Sequence, residues 1–307
     1  MSHLSLLRPH PPFVAPEPYN RLFDPETVPV PNQRDNAEQL AALHPFLKHQ
    51  LSKENYLASS DPKMIQQLTA SYYGLIKEVD DHLGRLFEFL KDTNRWQDTL
   101  IIFTSDHGEQ LGDHCLMSKH GFYDESYHIP MIIYDPRKEA DHSRGYQFDS
   151  FTENIDIMPT MLDWLDLDIP SQCDGQSLLP FIERGESPDF WRTEAHWEFD
   201  FRNILDAAME QELGMSQHQC QLNVIRDNKY KYVHFTALPS LLFDLENDPG
   251  EHENLANNPE YSEILLRYAQ KMLSWRMNHD DRKLTETLLH GHGPSVRKSP
   301  LYYQGKA

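Results

Sequence analysis

The sequence predicts an α/β protein in two parts: a layered domain with a mostly parallel sheet, and a smaller α+β domain after it. Between residues 61 and 165 a long helix, a strand, a polar loop, a second strand and a short helix follow one another. This is the order of elements in a layered α/β domain. From about residue 186 the pattern changes to short strands around turn residues. We therefore expect domains over residues 1–185 and 186–281, followed by a weakly patterned tail over 282–307 that is a candidate oligomerisation arm.

The clearest element of the first domain is the long helix, which Asp61 can cap and Pro62 can begin. Beyond Pro62, apolar residues recur at spacings of three and four, as in a helix with one face on a core. These residues are Ile65, Leu68, Tyr72, Ile76, Val79, Leu83, Leu86 and Leu90. Charged residues lie off this stripe, so we interpret the helix as structural.

Short continuous apolar runs predict the strands of the same domain. They are His3–Leu7, Leu100–Phe103 and Ile129–Pro136. Continuous rather than alternating apolar residues are typical of strands buried on both faces of a sheet. The segment Asp156–Leu165 predicts a short helix, and residues 170–182 predict a loop that closes the domain.

The second domain contains a hairpin signal. Two apolar stretches between Leu222 and Phe235 flank the sequence Asp227-Asn228-Lys229, and turn residues in this position favour a pair of antiparallel strands. Residues Leu241–Ala256 predict a strand that leads into a turn. The apolar spacing over Pro259–Met277 predicts an amphipathic helix.

The composition limits the classes of function. The net charge of −20 argues against nucleic acid or an anionic membrane as the main partner, and an anionic substrate would need a local cationic pocket. No apolar run reaches the roughly 20 residues that span a bilayer, and we see no signal peptide. Cys115, Cys173 and Cys220 form no pattern, so we expect free thiols in a reducing compartment and a cytoplasmic location.

A polar corner follows the predicted strand Leu100–Phe103. Asp106 and His107 lie where the strand should end, and Gly108 allows a tight turn. Ligands of open α/β sheets bind beyond the carboxyl ends of the strands, and a neighbouring carboxylate and imidazole can share one divalent cation. Such ligands suit calcium or manganese, with further ligands from elsewhere. On these residues alone, a polar surface turn is the alternative.

Two further side chains are candidates for catalysis. Lys119 follows the corner, and an ammonium group there can stabilise an anionic oxygen. His10 lies between prolines in the sequence RPHPP, where a stiff backbone can present the imidazole as a hydrogen-bond donor or general acid. A solvated surface lysine and a hydrogen-bonded loop histidine are the alternatives.

Five stretches together resemble the sulfatase branch of the alkaline phosphatase superfamily. TSDHGEQLGDHCLMSKHGFYDESYHIPMIIYDP contains the polar corner, and LLRPHPPFVAPEPYN is similar in particular to the phosphonate monoester hydrolase and arylsulfatase group. NIDIMPTMLDWLDLDIP, DGQSLLP and LFDLENDPGEHENLA follow in the order that the family shows. The likeness covers about residues 3–277.

The resemblance implies a metal-dependent hydrolase of sulfate esters or phosphonate monoesters, acting on small anionic substrates. Asp106 and His107 would bind a divalent cation, calcium or manganese, beside a formylglycine made from a cysteine. Lys119 would hold the ester oxygens, and His10 would face the leaving group or the nucleophile. The resemblance also implies an alkaline-phosphatase-like layered domain, a C-terminal domain around a four-stranded antiparallel sheet, and a homo-oligomer formed through C-terminal extensions.

The sequence departs from the family pattern at the nucleophile. It contains no Cys-x-Pro-Ser-Arg or Ser-x-Pro-Ser-Arg motif. We therefore expect the chain to be the carboxyl-terminal portion of a longer enzyme, with a sheet that is incomplete at its amino-terminal side and any export signal lying outside it. A second hypothesis is an inactive fragment, or a half-enzyme that needs a separate amino-terminal partner. A third keeps the superfamily but makes the substrate a phosphodiester or phosphomonoester.

Overall fold

The computed structural model describes residues 1–202, 208–279 and 287–296. Within these residues the α-helices are α1 (Ala37–Leu43), α2 (Pro45–Leu51), α3 (Pro62–Asp92), α4 (Asp124–Tyr127), α5 (Ile157–Trp164), α6 (Leu179–Arg184), α7 (Ala208–Leu213) and α8 (Ser262–His279). The strands are β1 (Ile101–Thr104), β2 (Met131–Tyr134), β3 (Ala195–Asp200), β4 (Gln221–Arg226), β5 (Tyr230–Phe235), β6 (Leu241–Asp244), β7 (Thr287–His290) and β8 (Gly293–Val296).

The described residues form two compact units. The first unit contains residues 1–99, 107–128 and 208–215, and the second contains residues 100–106, 129–202, 216–279 and 287–296. The predicted boundary at residue 185 concerns domains rather than these units, and it stays a prediction. No helix in the described ranges combines the length and the apolarity needed to cross a bilayer.

The first unit contains two short helices that the sequence analysis did not predict. α1 begins at a capping box, in which the side chains of Asn36 and Gln39 each accept a hydrogen bond from the other residue's backbone N–H. α2 begins where His44 accepts the backbone N–H of Phe46 at 3.2 Å. Each helix has only seven residues, which is too short for a recurring apolar stripe to identify it.

The long helix is confirmed as α3, which has 31 residues and is capped by Asp61 accepting the backbone N–H of Lys63 at 3.0 Å. Its buried face differs from the predicted stripe, because Ile76 is 43% exposed. The buried positions are Ile65, Thr69, Ala70, Gly74 and Leu75. A Cβ atom on Gly74 would lie 2.4 Å from the carbonyl oxygen of Tyr19, so glycine is what allows the Tyr19 segment to lie against this helix.

Buried aromatic residues fix the chain just after Lys119. Phe122 is fully buried and Tyr123 is 2% exposed. The Phe122 ring lies 6.2 Å from that of Phe46 in α2, and the Tyr123 ring stacks on His114 at 3.7 Å. The loop that carries Lys119 therefore returns directly into the core of the first unit.

The prediction of a buried strand at His3–Leu7 is wrong. This segment has no regular structure, and Leu4 and Leu7 are 60% and 77% exposed. A strand needs a partner for its N–H and C=O groups, and no strand in the described part of the chain pairs with this segment. The apolar sequence alone was not sufficient to form a strand.

The second unit contains both other predicted strands of the layered domain. β1 and β2 pair in an antiparallel register, with Ile101 opposite Tyr134 and Thr104 opposite Met131. Their residues are mostly half-buried, and Ile132 is 61% exposed. Every pairing between described strands is antiparallel, so the expected parallel pairs do not occur among them. An apolar run predicts burial, but it does not specify the direction of the neighbouring strand.

The predicted helix after Asp156 is confirmed as α5, and Asp156 itself is a buried anchor. Arg192 donates hydrogen bonds to both of its carboxylate oxygens, and the backbone N–H groups of Glu153 and Gln176 each donate at 2.8 Å. A buried carboxylate with this many donors is well compensated for its lost hydration. The predicted loop over residues 170–182 ends in α6, which begins at Leu179.

The C-terminal sheet is antiparallel, with strands β3 to β6 in sequence order. The predicted hairpin is confirmed, because β4 and β5 pair from Leu222 opposite Phe235 to Arg226 opposite Lys231. The predicted amphipathic helix is confirmed as α8, which packs against β4 and β5. The shared core is Ile225, Tyr230, Tyr232, Leu242, Leu255, Tyr268 and Met272.

Part of the predicted oligomerisation arm is a hairpin of β7 and β8, and the rest of residues 282–307 lies outside the described residues. The cysteines Cys115, Cys173 and Cys220 carry free thiols.

Candidate active site

The polar corner is divided between the two units. Asp106 is exposed and ends the segment of the second unit that follows β1, whereas His107 is half-buried and begins a segment of the first unit. Of the predicted site residues, His10, His107 and Lys119 therefore belong to the first unit and Asp106 to the second.

In the second unit, Asn154 fixes the end of β1. The Thr104 hydroxyl donates to Oδ1 of Asn154 at 2.8 Å, and Nδ2 of Asn154 donates to the carbonyl oxygen of Ser105 at 2.9 Å. These two hydrogen bonds hold the backbone immediately before Asp106.

In the first unit, the structure brings together His10 and Lys119, which are 109 positions apart. Nζ of Lys119 lies 3.2 Å from Nε2 of His10. An ammonium group only donates hydrogen bonds, so Nε2 is the acceptor. Nδ1 of His10 lies 2.9 Å from the carbonyl oxygen of Pro11, which only accepts. The contacts therefore place the ring proton on Nδ1 and direct the lone pair of Nε2 toward Lys119.

His107 lies close to this pair. The centroids of the His107 and His10 rings are 6.5 Å apart, with an angle of 64° between the ring planes. Nδ1 of His107 lies 2.7 Å from the carbonyl oxygen of Gly108, so Nδ1 is the donor, and in the neutral ring Nε2 has the lone pair. A backbone carbonyl that orients the second ring nitrogen is the usual arrangement for a histidine that binds a metal.

The donor chemistry of the corner fits part of a divalent cation site. Asp106 offers carboxylate oxygens and His107 offers an imidazole nitrogen, which suit the cations expected for the family. Within the described residues, no group of three or more His, Cys, Asp or Glu side chains has the geometry of a metal site. The role of Asp106 and His107 as ligands therefore stays a prediction.

None of the cysteines of this chain is a suitable precursor of a formylglycine. Cys115 is followed by Leu-Met-Ser, Cys173 by Asp-Gly-Gln and Cys220 by Gln-Leu-Asn. Cys220 is fully buried, and the thiol of Cys115 lies 3.5 Å from the carbonyl oxygen of Asp35. The chain therefore has no candidate for the modified nucleophile.

Glu109, His120 and Tyr72 also surround the site, and the sequence analysis did not assign them to it. Burial raises the pKa of the Glu109 carboxyl, and hydrogen bonds from backbone N–H groups and the nearby Lys119 oppose that rise. Burial, with Lys119 close by, lowers the pKa of His120 to about 4. Burial raises the pKa of Tyr72 to about 12, and the Glu109 carboxylate adds to this effect.

The sequence contained a signal for two of these three residues. Glu109 and His120 are near neighbours of His107 and Lys119 in the sequence. Tyr72 belongs to the apolar stripe of α3, and its ring lies 5.6 Å from that of Phe13. The apolar stripe explains the position of the Tyr72 ring, but it gives no indication that the hydroxyl group belongs to the site.

Comparisons with known proteins agree on one family. The sulfatase family model matches residues 1–167, and the model for the C-terminal region of N-sulphoglucosamine sulphohydrolase matches residues 112–278. The multifunctional alkaline phosphatase superfamily protein PehA of Trinickia caryophylli is 48% identical over 96% of this chain and 59% of its own length. An arylsulfatase of Clostridium perfringens is 31% identical over 96% of this chain and 57% of its own length.

Solved structures give the same result. A phosphonate monoester hydrolase of Agrobacterium radiobacter superposes with a TM-score of 0.89 at 43% identity, over 94% of this chain and 59% of its own chain. A phosphonate monoester hydrolase of Silicibacter pomeroyi superposes with a TM-score of 0.85 at 36% identity, over 95% of this chain and 58% of its own. These likenesses confirm the predicted fold class, an alkaline-phosphatase-like layered α/β domain with a smaller C-terminal sheet domain, although the described strands include no parallel pair. This chain spans somewhat less than 60% of the length of these relatives.

Proposed function

This chain belongs to the sulfatase family, and on that premise we propose that it acts as a metal-dependent hydrolase of sulfate esters or phosphonate monoesters. The names of similar proteins include both arylsulfatase and phosphonate monoester hydrolase. The observation that carries the proposal is the contact of 3.2 Å between Lys119 and His10, with the His107 ring 6.5 Å from that of His10.

The side chains of this cluster suit an anionic tetrahedral ester. The Lys119 ammonium can donate hydrogen bonds to an ester oxygen, and a donor of this kind stabilises the developing charge by about 2.7–4 kcal/mol. An ester oxygen bound beside Lys119 would also lie near Nε2 of His10. His10 can then exchange a proton with the leaving group or the nucleophile at that atom.

We propose Asp106 and His107 as ligands of the divalent cation, calcium or manganese. When bound, the cation would neutralise charge on the ester oxygens as a Lewis acid. The hydrogen bond from Nδ1 of His107 to Gly108 would hold the ring in one orientation. The chain's own contribution is this oriented imidazole, the neighbouring carboxylate and the cationic Lys119.

An inactive fragment or half-enzyme is the second candidate, because the sequence lacks the nucleophile motif. The DNA upstream of the Met1 codon separates the two candidates. An in-frame continuation that encodes the cysteine or serine motif would favour the hydrolase. A stop codon or an unrelated gene would favour the inactive fragment.

The test of the proposal is turnover by the protein expressed from its complete genomic reading frame, with Ca²⁺ or Mn²⁺ added. We expect hydrolysis of an aryl sulfate or an aryl phosphonate monoester. Lys119→Ala should lower kcat/KM by about 100- to 1000-fold, whereas Lys63→Ala, on the exposed first turn of α3, should leave it unchanged. No turnover of either ester with either metal would contradict the proposal, and a preference for a phosphodiester would favour the third hypothesis.

A further inference from the structure

Ser118, immediately before Lys119, has an unusual backbone conformation. Its φ angle is +71°, in the left-handed region that residues with a Cβ atom rarely adopt. Such a conformation persists only where the surrounding structure holds it. Because the backbone at residue 118 sets the direction of the chain at residue 119, whatever holds Ser118 also places Lys119.

Both backbone groups of Ser118 are held by one short segment. The carboxylate of Glu109 accepts the N–H of Ser118, and the N–H of Gln110 donates to the carbonyl oxygen of Ser118 at 2.9 Å. Glu109 is half-buried, so these bonds are partly shielded from competing water.

This segment is itself fixed to the core of the first unit through Ser126. The N–H of Gly108 donates to the carbonyl oxygen of Ser126 at 2.8 Å, and Nε2 of Gln110 donates to the Ser126 hydroxyl at 2.9 Å. Gln110 is 1% exposed and Ser126 is equally buried. The segment that holds Ser118 is therefore anchored to the buried Ser126. Gly108, which follows His107, is anchored to the same residue.

Other contacts hold the loop on the amino-terminal side of the turn. The N–H of Ala58 donates to the carbonyl oxygen of Cys115 at 2.9 Å, and the N–H of Met117 donates to the carbonyl oxygen of Tyr56 at 2.8 Å. The turn at Ser118 lies beyond these bonds. Removing the Glu109 carboxylate leaves the bond from Gln110 to the Ser118 carbonyl, so it should loosen the turn without detaching the preceding part of the loop.

We infer that Glu109 is a positioning residue, which directs Lys119 toward His10 by holding the backbone N–H of Ser118. The inference rests on the proposed function for what Lys119 contacts during turnover. The placement of Lys119 by Glu109 is inferred from geometry alone. The inference and the proposed function can therefore fail separately.

The experiment compares Glu109→Ala with Glu109→Gln in the protein expressed from the complete reading frame. The amide oxygen of glutamine can still accept the Ser118 N–H, whereas alanine cannot. The first measurement is the acetylation rate of Lys119 by mass spectrometry, with Lys77, paired with Asp80 and Asp81 in α3, as the internal reference. We expect faster acetylation of Lys119 in Glu109→Ala and a rate close to wild type in Glu109→Gln. This measurement requires no turnover, so it decides the inference even if the proposed function fails.

The second measurement is kcat/KM for the ester that the wild type hydrolyses. Glu109→Ala should lower kcat/KM by about 10- to 100-fold, as misplacement of a catalytic group by about 1 Å can do, and Glu109→Gln should restore most of it. The matched control is Glu88→Ala, which removes an exposed carboxylate from α3 and should change neither measurement. An unchanged acetylation rate of Lys119 in Glu109→Ala, or an equal effect of alanine and glutamine, would overturn the inference.

A variant at Ser118 tests the same geometry if Glu109→Ala does not fold. Ser118→Val leaves Glu109 intact but disfavours the left-handed conformation, whereas Ser118→Gly favours it. We expect Ser118→Val to speed the acetylation of Lys119 and Ser118→Gly to leave it at the wild-type rate. Equal rates in the two variants would also overturn the inference.

Discussion

At the scale of single residues, Gly108 connects the segment of His107 to the segment that follows Lys119. A Cβ atom on Gly108 would lie 2.0 Å from the carbonyl oxygen of Glu125, well inside contact distance. The N–H of Gly108 also donates to Ser126. A side chain at position 108 must therefore move one backbone segment away from the other.

We expect Gly108→Ala to lower the free energy of unfolding by about 1–3 kcal/mol, the usual cost of forcing atoms into a packed site. The matched control is Gly84→Ala in the middle of α3, where a Cβ atom meets no heavy atom within 4 Å. Because alanine is the better helix former, the control should raise the free energy of unfolding by about 0.5–1 kcal/mol. Urea unfolding measures both, and equal stabilities of the two variants would contradict the close contact at Gly108.

His10, His107 and Lys119 could be selected from the sequence because their chemistry is visible in their residue types and in the motifs around them. The same motif contains Glu109, but the role of this residue could not be predicted from the sequence. Its hydrogen bond goes to the backbone N–H of Ser118, and a backbone group has no sequence signature. The geometry of the loop had to be known before that contact could be seen.

At the scale of elements, β5 carries a buried ion pair. Lys231 and Glu251 are in contact, and their side chains are 0% and 2% exposed. The Lys231 ammonium also lies 5.4 Å from the centroid of the Trp197 ring. Removing one partner of such a pair leaves a buried charge without its compensation.

We expect Lys231→Met or Glu251→Gln alone to lower the free energy of unfolding by about 3–5 kcal/mol. The double variant should cost less than the sum of the two, because it leaves no uncompensated charge. The control is a surface ion pair in the same region, formed by Lys229 and Glu246 at 2.8 Å. Their side chains are 50% and 56% exposed. Lys229→Met should lower the free energy of unfolding by about 0–1 kcal/mol. A similarly small decrease for Lys231→Met, measured by urea unfolding, would show that burial does not make the Lys231–Glu251 pair important for stability.

The elements that the sequence predicted well are those with strong local signals. α3 has a cap and a long run of apolar spacing, and the β4–β5 hairpin has a clear turn sequence. The short helices α1 and α2 lacked such a run. His3–Leu7 had an apolar run but no partner strand among the described residues. Pairing is a property of two segments, so one segment cannot reveal it.

At the scale of the whole molecule, the net charge of −20 should repel an anionic substrate. This repulsion acts over a Debye length of about 30 Å at 0.01 M salt and about 8 Å at 0.15 M. We expect kcat/KM for an anionic ester to rise by about two- to fivefold over this range, because screening weakens the repulsion. The measurement is steady-state turnover at both ionic strengths with the metal concentration constant, and a fall in kcat/KM would show that local attraction by groups such as Lys119 dominates.

Three properties of the whole molecule stay predictions: the domain boundary at residue 185, a homo-oligomer formed through residues 282–307, and a cytoplasmic location. The oligomer is the simplest to test, because light scattering coupled to size-exclusion chromatography gives the mass in solution. A mass equal to that of one chain would contradict it.

By itself, the sequence determined the family, the long helix, the C-terminal hairpin and the residue types of the candidate site. The helix and the hairpin depend on residues that are close together in the chain, and the family depends on the order of several local motifs, so that spacing, turn chemistry and motif order are sufficient. Only the tertiary structure decided that β1 and β2 run antiparallel, that Lys119 meets His10 across 109 positions, and that Glu109 holds Ser118 in a left-handed turn. These contacts join segments distant in sequence or involve backbone groups common to all residues, and they depend on the path of the folded chain.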